Sequence, residues 1–375
     1  MVVRGIKDAL SQEKGSKISG QALPASKPLL KPRVLKKGDT IGIIAPSSPT
    51  FEAGNLEFTL RWLERLGLKY KMGRHTFESY SSYAGSDQGR LEDLHEFFAD
   101  KSIAAVMPLR GGAGAVRLLP KLDFELLARN PKIFVGFSDI TGLLIPIHQA
   151  TGMVTFHGPT LNLMYESAYT HNYWLKAVMS THPMGLLTDP CESVLGESVL
   201  GDSFLGEHDH SWGADYPPPR MVISEGKGRG RLTGGCLTLI RGLMGTPYEI
   251  DTKDRIIFLE DVDEEPHAID RMLMQLKLAG KFAQARGIIV GDCSGCRPGG
   301  SKRNSLTLNH SLEAVLRERL ADLGIPVVFG MKIGHTLDKL TLPLGVMASL
   351  TASRSGVRLK LEEGACLEKA PSSKK

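Results

Sequence analysis

Short apolar runs alternate with amphipathic stretches in the first part of the chain. Residues 40–45 form an apolar run that ends in Pro-Ser-Ser-Pro, which predicts a buried strand and a turn. Leucines within 56–66 recur at helical spacing, and Gly67 ends the predicted helix. Further helices are predicted at 90–100 and 122–128, and further strands at 103–109 and 132–135. This alternation predicts a parallel, doubly wound sheet, in which sites form at the carboxyl ends of strands.

The pattern breaks down between about 166 and 225 and then resumes. Residues 192–206 contain a three-fold five-residue repeat, which we interpret as an inserted loop or small strand array between two domains. Strands are then predicted at 255–260, 287–290, 325–329 and 346–361, and helices at 269–278 and 312–323. A chain of 375 residues also favours two domains. The predicted organisation is a flexible basic extension (1–33), a first domain (34–165), a linker (166–225), a second domain (226–365) and a tail (366–375).

The charge of the chain is concentrated at its beginning. Residues 1–37 carry nine Lys and Arg against two acidic residues, whereas the formal charge of the whole chain is +5. The remainder is therefore close to neutral, which argues against a nucleic-acid-binding protein. An apolar content of 42% is that of an ordinary globular protein, and no uninterrupted run of eighteen apolar residues predicts a membrane span.

The cysteines and the first 33 residues bear on the compartment. Five cysteines are an odd and sparse set, and residues 1–33 lack the apolar region of a secretory signal peptide. We therefore expect a cytoplasmic protein. Cys293 and Cys296 have metal-ligand spacing, but no second pair completes a zinc site, and we interpret His208 and His210 as loop histidines without a ligand. We predict no metal.

The segment Val-Gly-Phe-Ser-Asp-Ile-Thr-Gly, residues 135–142, directly follows a predicted strand. Ser138 is either part of an ordinary helix N-cap or a nucleophile on a tight strand-to-helix turn, although Ile140 replaces the second glycine of the usual G-x-S-x-G elbow. The N–H of Asp139 would begin the next helix and face an oxyanion above Ser138.

A glycine-rich loop at 110–114 follows another strand and would supply a second oxyanion donor, because residues without side chains let a substrate approach. This loop lacks the P-loop lysine and the dinucleotide fingerprint, so we predict no nucleotide cofactor.

A serine nucleophile needs a base and a group that orients the base. His335 and His157 are both candidates for the base. Glu260 and Asp261 end a predicted strand and lie on its opposite faces, so either carboxylate could orient the base. The residues alone leave both choices open.

The order of the motifs along the chain resembles the murein LD-carboxypeptidases, a serine peptidase family that includes the microcin-immunity peptidases. The resemblance extends from Leu35 to Leu361. Its motifs are Tyr83-Ala-Gly-Ser-Asp87, Arg110-Gly-Gly-Ala-Gly114, Leu118-Leu-Pro120, Gly136-Phe-Ser-Asp-Ile-Thr141, His157-Gly-Pro159, Leu259-Glu-Asp261, Asp270-Arg271, Gly334-His335 and Leu342-Pro-Leu-Gly345.

This resemblance implies an α/β fold with a Rossmann-like amino-terminal domain and a smaller β-rich carboxyl-terminal domain. It implies a triad of Ser138, Glu260 and His335, with an oxyanion hole formed by the backbone N–H groups of Asp139 and Gly112. The choices left open above are then Glu260 over Asp261 and His335 over His157. The family is independent of metals and cofactors and is commonly homodimeric.

Substrate contacts are predicted less directly. Arg110 would pair with a substrate carboxylate or form a structural ion pair, and Gly111 and His157 are the other candidates for substrate binding. Ala113 and Cys236 stand where the family usually has Tyr and often has Asn, and these departures bear on substrate choice.

The implied reaction is hydrolysis of the amide between an L-centre and a terminal D-amino acid, which trims a muropeptide tetrapeptide to a tripeptide during cell-wall recycling. One alternative is hydrolysis of a peptidyl-nucleotide or related acyl-amide, as in microcin immunity. A second alternative is a ligand-binding protein on the same fold that performs no catalysis.

Overall fold

The computed structural model describes residues 27–50, 53–164, 167–190, 220–298 and 310–369. The predicted repeat at 192–206, with His208 and His210, lies outside these residues. Within them the chain forms two sheets, each accompanied by helices, and the predicted α/β class is confirmed. Among the described helices, none has the length and apolar character needed to cross a bilayer.

The first sheet contains six strands. They are β1 (Thr40–Ile44), β2 (Lys69–Met72), β3 (Ile103–Pro108), β4 (Ile133–Gly136), β5 (Phe156–His157) and, from late in the chain, β12 (Leu342–Pro343). The spatial order is β12-β5-β4-β3-β1-β2, with every pair parallel except β12 with β5. The helices that accompany it are α1 (Ala53–Arg65), α2 (Asp87–Ala99), α3 (Phe124–Arg129) and α4 (Thr141–Thr151). This is the predicted Rossmann-like arrangement.

The second sheet is larger than predicted and of mixed direction. Its strands are β6 (Gly185–Leu187), β7 (Met221–Ser224), β8 (Gly226–Cys236), β9 (Arg255–Glu260), β10 (Gly287–Gly291), β11 (Val327–Met331), β13 (Met347–Ser353) and β14 (Gly356–Leu361). Their order is β6-β14-β13-β8-β9-β10-β11-β7, in which β8 to β11 are parallel and the outer strands are antiparallel. The other α-helices of the described residues are α5 (Ala168–Val178), α6 (Leu237–Gly242), α7 (Pro266–Leu278) and α8 (Leu312–Leu320).

The hydrophobic core is continuous between the two sheets. Buried side chains of the first domain, such as Phe134 and Leu143, belong to the same packed cluster as Leu237 and Ile257 of the second domain. Burial of apolar surface is the main favourable contribution to packing, so the two domains stabilise one another at their junction. A site formed at this junction therefore rests on a packed interface.

The predicted domain boundaries need three corrections. Leu30 already pairs with the first domain, since its N–H donates to the carbonyl of Gly152 at 2.8 Å, so the predicted extension ends before residue 33. Leu367, in the predicted tail, donates to the carbonyl of Pro32 at 2.9 Å. The predicted linker also holds α5 and two strands of the second sheet, β6 and β7, because their apolar residues pack against the core.

Candidate active site

Ser138 lies on a strained turn at the carboxyl end of β4. A short 3-10 turn, Ser138–Ile140, joins β4 directly to α4. Ser138 has a φ of 59°, in the left-handed region that costs a residue with a Cβ about 1–2 kcal/mol. Gly136 makes the tight turn possible, because a Cβ there would lie 2.7 Å from Cγ2 of Ile140. The fold thus holds Ser138 in a conformation typical of a nucleophile elbow.

Asp139 anchors this turn through its side chain. Its buried Oδ2 accepts hydrogen bonds from Oγ of Ser47 at 2.6 Å and from the N–H of Ala115 at 2.8 Å. The N-cap residues of the 3-10 turn and of α4 are Phe137 and Ile140, and neither caps through a side chain. Ser138 is therefore not held as the N-cap that the sequence also permitted.

The glycine loop after β3 lies directly over Ser138. A Cβ built on Gly111 would lie 3.2 Å from Oγ of Ser138 and 3.5 Å from the backbone nitrogen of Asp139. Gly112 is exposed and has a φ of 120°, which favours glycine. The N–H of Ala113 is already used, since it donates to Oγ of Ser48 at 3.0 Å. The absence of a side chain at 111 leaves space beside the serine hydroxyl, whereas a Cβ at 112 would lie 2.3 Å from Oγ of Ser48.

Glu260, at the end of β9, is paired with His335. Oε2 of Glu260 accepts from Nδ1 of His335 at 2.8 Å and from the backbone N–H of His335 at 3.3 Å. The carboxylate is fully buried, whereas the imidazole is 13% exposed. The ring of Phe137, next to Ser138 in sequence, lies 4.8 Å from the imidazole of His335, centroid to centroid. The structure thus brings the serine turn and the acid–histidine pair together.

The neighbouring Asp261 points the other way and has a different role. Its Oδ2 accepts from the backbone N–H and the hydroxyl of Thr238, both at 2.9 Å, at the beginning of α6. Burial, followed by the charge of Glu260, raises the pKa of Asp261 to about 6. Of the two carboxylates that the sequence offered, Glu260 is the one in contact with His335.

Glu260 and His335 shift each other's pKa. Burial alone would raise the pKa of Glu260, but the charge of His335, the close approach of His157 and the hydrogen bond of His335 hold that pKa at about 2. Burial lowers the pKa of His335, yet the charge and hydrogen bond of Glu260 outweigh it, so the pKa of His335 is raised above its ordinary value. With Nδ1 bonded to Glu260, Nε2 of His335 is the nitrogen available to exchange a proton.

The predicted substrate-binding residues have different outcomes. His157 has a fully buried side chain, so the prediction that it contacts substrate is not supported, because the ring faces Glu260 instead. Arg110 is half-buried beside the glycine loop and donates to the carbonyl of Pro49 at 3.4 Å. Gly111 lies at the serine, as described above.

The residues that brace His335 were missed by sequence reasoning. Ser294 donates from its hydroxyl to the carbonyl of His335. Asp292 accepts from Nζ of Lys332 at 2.9 Å and from the hydroxyl of Thr336 at 3.0 Å. These two hydrogen bonds hold the chain on both sides of His335. Their position at the carboxyl end of β10 was the signal that could have identified them.

The domain junction itself passes through the site. The N–H of Cys236, at the end of β8, donates to Oγ1 of Thr141 at the start of α4, at 3.1 Å. Gly235 approaches the same threonine so closely that a Cβ would lie 2.5 Å from its Cγ2. His335 lies on the segment that leaves β11 of the second sheet and enters β12 of the first. Both domains are therefore needed to form the site.

An open cleft of about 1690 Å³ lies elsewhere, at the amino-terminal end of β9. Its cations are largely paired, as in Arg255 with Asp251 and Lys281 with Glu249. Functional sites of parallel sheets form at the opposite, carboxyl ends of the strands. Cys293 and Cys296 are buried free thiols, and no group of three possible metal-ligating side chains occurs among the residues that the structure describes.

Gly334 is expected to be essential to the acid–histidine pair. Its φ is 83°, and a Cβ there would lie 2.0 Å from Oε2 of Glu260. Gly334→Ala must displace the carboxylate, and a misplacement near 1 Å can cost about 100-fold in rate. We expect kcat/KM to fall by about that factor. Gly324→Ala is the matched control, because it has a φ of 69° with no atom within 4 Å of the new Cβ. Equal activity of the two variants would contradict this prediction.

The chain is similar to known proteins in both sequence and fold. A family model described as the LD-carboxypeptidase N-terminal domain matches residues 41–158, and one described as the LD-carboxypeptidase C-terminal domain matches residues 229–350. A relative named "Probable murein peptide carboxypeptidase" from Bacillus subtilis is 40% identical over 328 residues, which are 87% of this chain and 93% of the relative.

Two further relatives differ from each other in their named activity. A murein tetrapeptide carboxypeptidase from Pseudomonas aeruginosa is 31% identical, covering 84% of this chain and 94% of its own. The microcin C7 self-immunity protein MccF from Escherichia coli is 30% identical, covering 87% and 94%. A solved structure of MccF superimposes with a TM-score of 0.76 and 27% identity, covering 91% of this chain and 100% of that chain. The chain belongs to the LD-carboxypeptidase family.

Proposed function

We propose that this peptidase is a serine-type LD-carboxypeptidase that removes the terminal D-amino acid from a muropeptide tetrapeptide. The observation that carries the proposal is the buried pairing of Glu260 with Nδ1 of His335, beside a serine held at a φ of 59°. A carboxylate that orients an imidazole next to a strained serine is the arrangement required for nucleophilic catalysis by a hydroxyl.

In this mechanism Oγ of Ser138 attacks the carbonyl carbon of the scissile amide, and Nε2 of His335 accepts the hydroxyl proton. The resulting oxyanion is stabilised by the N–H groups of Asp139 and Gly112, where no side chain intervenes. His335 then donates the proton to the leaving amine, and the D-amino acid departs. Water, deprotonated by His335, cleaves the acyl-enzyme and restores Ser138. Glu260 stabilises the imidazolium at each stage.

The substrate assignment is supported by the named activities of the relatives from B. subtilis and P. aeruginosa. Arg110, half-buried beside the glycine loop, carries the cation that would pair with the terminal carboxylate of the substrate. We further propose that the enzyme acts as a homodimer in the cytoplasm. Sedimentation of the purified protein tests the dimer, and cell fractionation tests the compartment.

The primary experiment measures release of D-alanine from a purified muropeptide tetrapeptide in the presence of a chelator. We expect release that survives chelation, together with labelling of Ser138 by a fluorophosphonate located by peptide mapping. Release that requires added metal would contradict the serine mechanism. Labelling of Ser138 without any release would retain the serine hydrolase and reject the muropeptide as substrate.

A second candidate function is hydrolysis of a peptidyl-nucleotide, and the likeness to MccF favours it. Both reactions cleave an acyl-amide through the same triad, so substrate profiling separates them. An aminoacyl sulfamoyl adenosine provides the comparison substrate. A higher kcat/KM on that compound than on the tetrapeptide would replace the proposed substrate.

The pH dependence of the reaction is expected to report on His335. The imidazole acts as a base only when neutral, and its pKa is raised above 6.5 by Glu260 against the opposing effect of burial. We therefore expect kcat/KM to rise with pH and to reach half of its plateau above pH 6.5. The measurement is kcat/KM between about pH 5 and 9. A midpoint below 6.5 would show that Glu260 does not raise the pKa of the base.

A further inference from the structure

His157 contacts the carboxylate of Glu260 from the opposite domain. His157 lies on β5 and pairs in register with Gly136, two residues before Ser138, whereas Glu260 ends β9 of the second sheet. Nε2 of His157 lies 3.5 Å from Oε1 of Glu260, and both side chains have no exposed surface. The contact therefore joins the domain of the nucleophile to the domain of the acid.

Oε1 is the oxygen of Glu260 that His335 does not use. His335 bonds Oε2, and Oε1 has no hydrogen-bond partner within standard geometry among the described residues. A buried carboxylate is costly unless each oxygen faces a donor or a positive charge. At 3.5 Å, the approach of Nε2 is at the long limit of a hydrogen bond, so it is a close contact between a ring nitrogen and a carboxylate oxygen.

The ring of His157 is fixed by its surroundings. It lies 5.2 Å from the ring of Phe258 and 6.2 Å from that of Phe137, in edge-on contacts with both. Within the described part of the chain, neither ring nitrogen has another hydrogen-bond partner. The aromatic rings pack beside the buried imidazole, whose Nε2 faces Glu260. The tautomer of His157 that carries its proton on Nε2 directs an N–H at Oε1 of Glu260. Its Nδ1 then carries no proton that needs an acceptor.

We propose that His157 is a positioning residue of the reaction, which holds Glu260 in place through the oxygen that His335 leaves free. This inference rests on the proposed function, because Glu260 matters to catalysis only if His335 is the base. It also replaces the earlier prediction that His157 contacts substrate. The arrangement then comprises four side chains in series, Ser138, His335, Glu260 and His157, in which His157 holds Glu260.

The charged groups around Glu260 and His335 define what the removal of His157 should change. The groups that act on Glu260 or respond to its charge are His157, His335, Asp261 and the thiols of Cys236 and Cys293, while Lys339 acts on His335. Removal of the His157 N–H removes a group that stabilises the Glu260 anion, so the pKa of Glu260 rises. A carboxylate that is held less firmly also raises the pKa of His335 less, so the acid limb of the pH profile should move to lower pH.

The test compares His157→Phe, which keeps an aromatic ring without a donor, with His157→Gln, which supplies a donor on a flexible chain. The rate of fluorophosphonate labelling of Ser138 and kcat/KM are measured at pH 5.5 and pH 8. We expect His157→Phe to lower both about tenfold at pH 8, the scale on which partners that orient a reacting group act, and to lower them by a smaller factor at pH 5.5, because the acid limb of the profile moves to lower pH. His157→Gln should recover most of the loss.

His148→Gln is the matched control for the loss of a buried histidine. Its Nδ1 hydrogen-bonds the carbonyl of Met153 at 2.9 Å, away from Glu260. This variant is expected to melt at a lower temperature while keeping the wild-type ratio of rates at the two pH values. His157→Phe in a Glu260→Gln background should add little to the loss, because the charge it would misplace is already absent.

The outcomes separate the two proposals. If His157→Phe slows labelling by the same factor at both pH values, or leaves it unchanged, the positioning role is overturned and the serine mechanism stands. Additive losses in the double variant would also overturn it. A wild-type enzyme that is not labelled at Ser138 would reject the proposed function, and the role of His157 with it.

Discussion

Replacement of Ser138 by alanine is expected to lower kcat by about 10⁴- to 10⁶-fold, the scale seen when the nucleophile of a serine peptidase is removed. The reason is that no acyl-enzyme can form once Oγ is absent. The backbone should tolerate the change, since alanine retains the Cβ that already occupies a φ of 59°. D-Alanine release from the tetrapeptide measures the loss, and the melting temperature should match that of the wild type.

Ser353→Ala provides the matched control, since this serine lies at the end of β13, far along the second sheet from the site. It should be labelled by a fluorophosphonate at the wild-type rate, whereas Ser138→Ala should not be labelled. Activity of Ser138→Ala within tenfold of the wild type would show that another group is the nucleophile.

Replacement of Glu260 by glutamine is expected to lower kcat/KM by roughly 10³- to 10⁴-fold, as the loss of the orienting acid does in other triads. Glutamine fits the same space, but it is neutral and offers Nδ1 an amide in place of a carboxylate. His335 then loses the partner that fixes its tautomer and stabilises its charged form. The pKa of His335 should fall, so the acid limb of the pH profile should move to lower pH.

Asp261→Asn is the matched control for this substitution. Asp261 is the adjacent buried carboxylate, yet it accepts from Thr238 at the beginning of α6 and does not contact His335. We expect its replacement to lower the melting temperature while kcat/KM stays within about threefold of the wild type. If Asp261→Asn were as inactive as Glu260→Gln, the assignment of the acid to Glu260 would fail.

Much of the fold and the site could be predicted, because the signals are local. Apolar runs ending in glycine or acid located β4 and β9 to within a residue, and with them Ser138 and Glu260. β8 was not predicted as a strand, because its glycines disfavour one. In the fold those glycines are required, since a Cβ on Gly228 would lie 1.7 Å from the carbonyl oxygen of Arg286. Such close approach of two distant segments leaves no local signal.

The role of His157 could not be predicted for a similar reason. It lies on a two-residue strand, too short to show alternation, and its burial depends on Phe258 and Glu260 of the other domain. A histidine beside Gly-Pro is predicted to lie in an exposed loop when only its neighbours in sequence are considered. Ser294 and Asp292 follow a predicted strand and could have been identified there, but their partners lie about forty residues away along the chain, so their contacts could not be predicted.

The crossing of the chain from β11 into β12 bears on how the protein folds during synthesis. β5 of the first sheet pairs with β12, which the ribosome delivers only after nearly the whole second domain. Until then the edge of β5 is uncovered, although the other strands of its sheet have already been made. The first sheet is thus completed only after six of the eight strands of the second sheet have been made, and His335, on the segment between β11 and β12, reaches its place at the same stage. A nascent chain therefore cannot bring Glu260 and His335 to the turn of Ser138 before the domain junction closes.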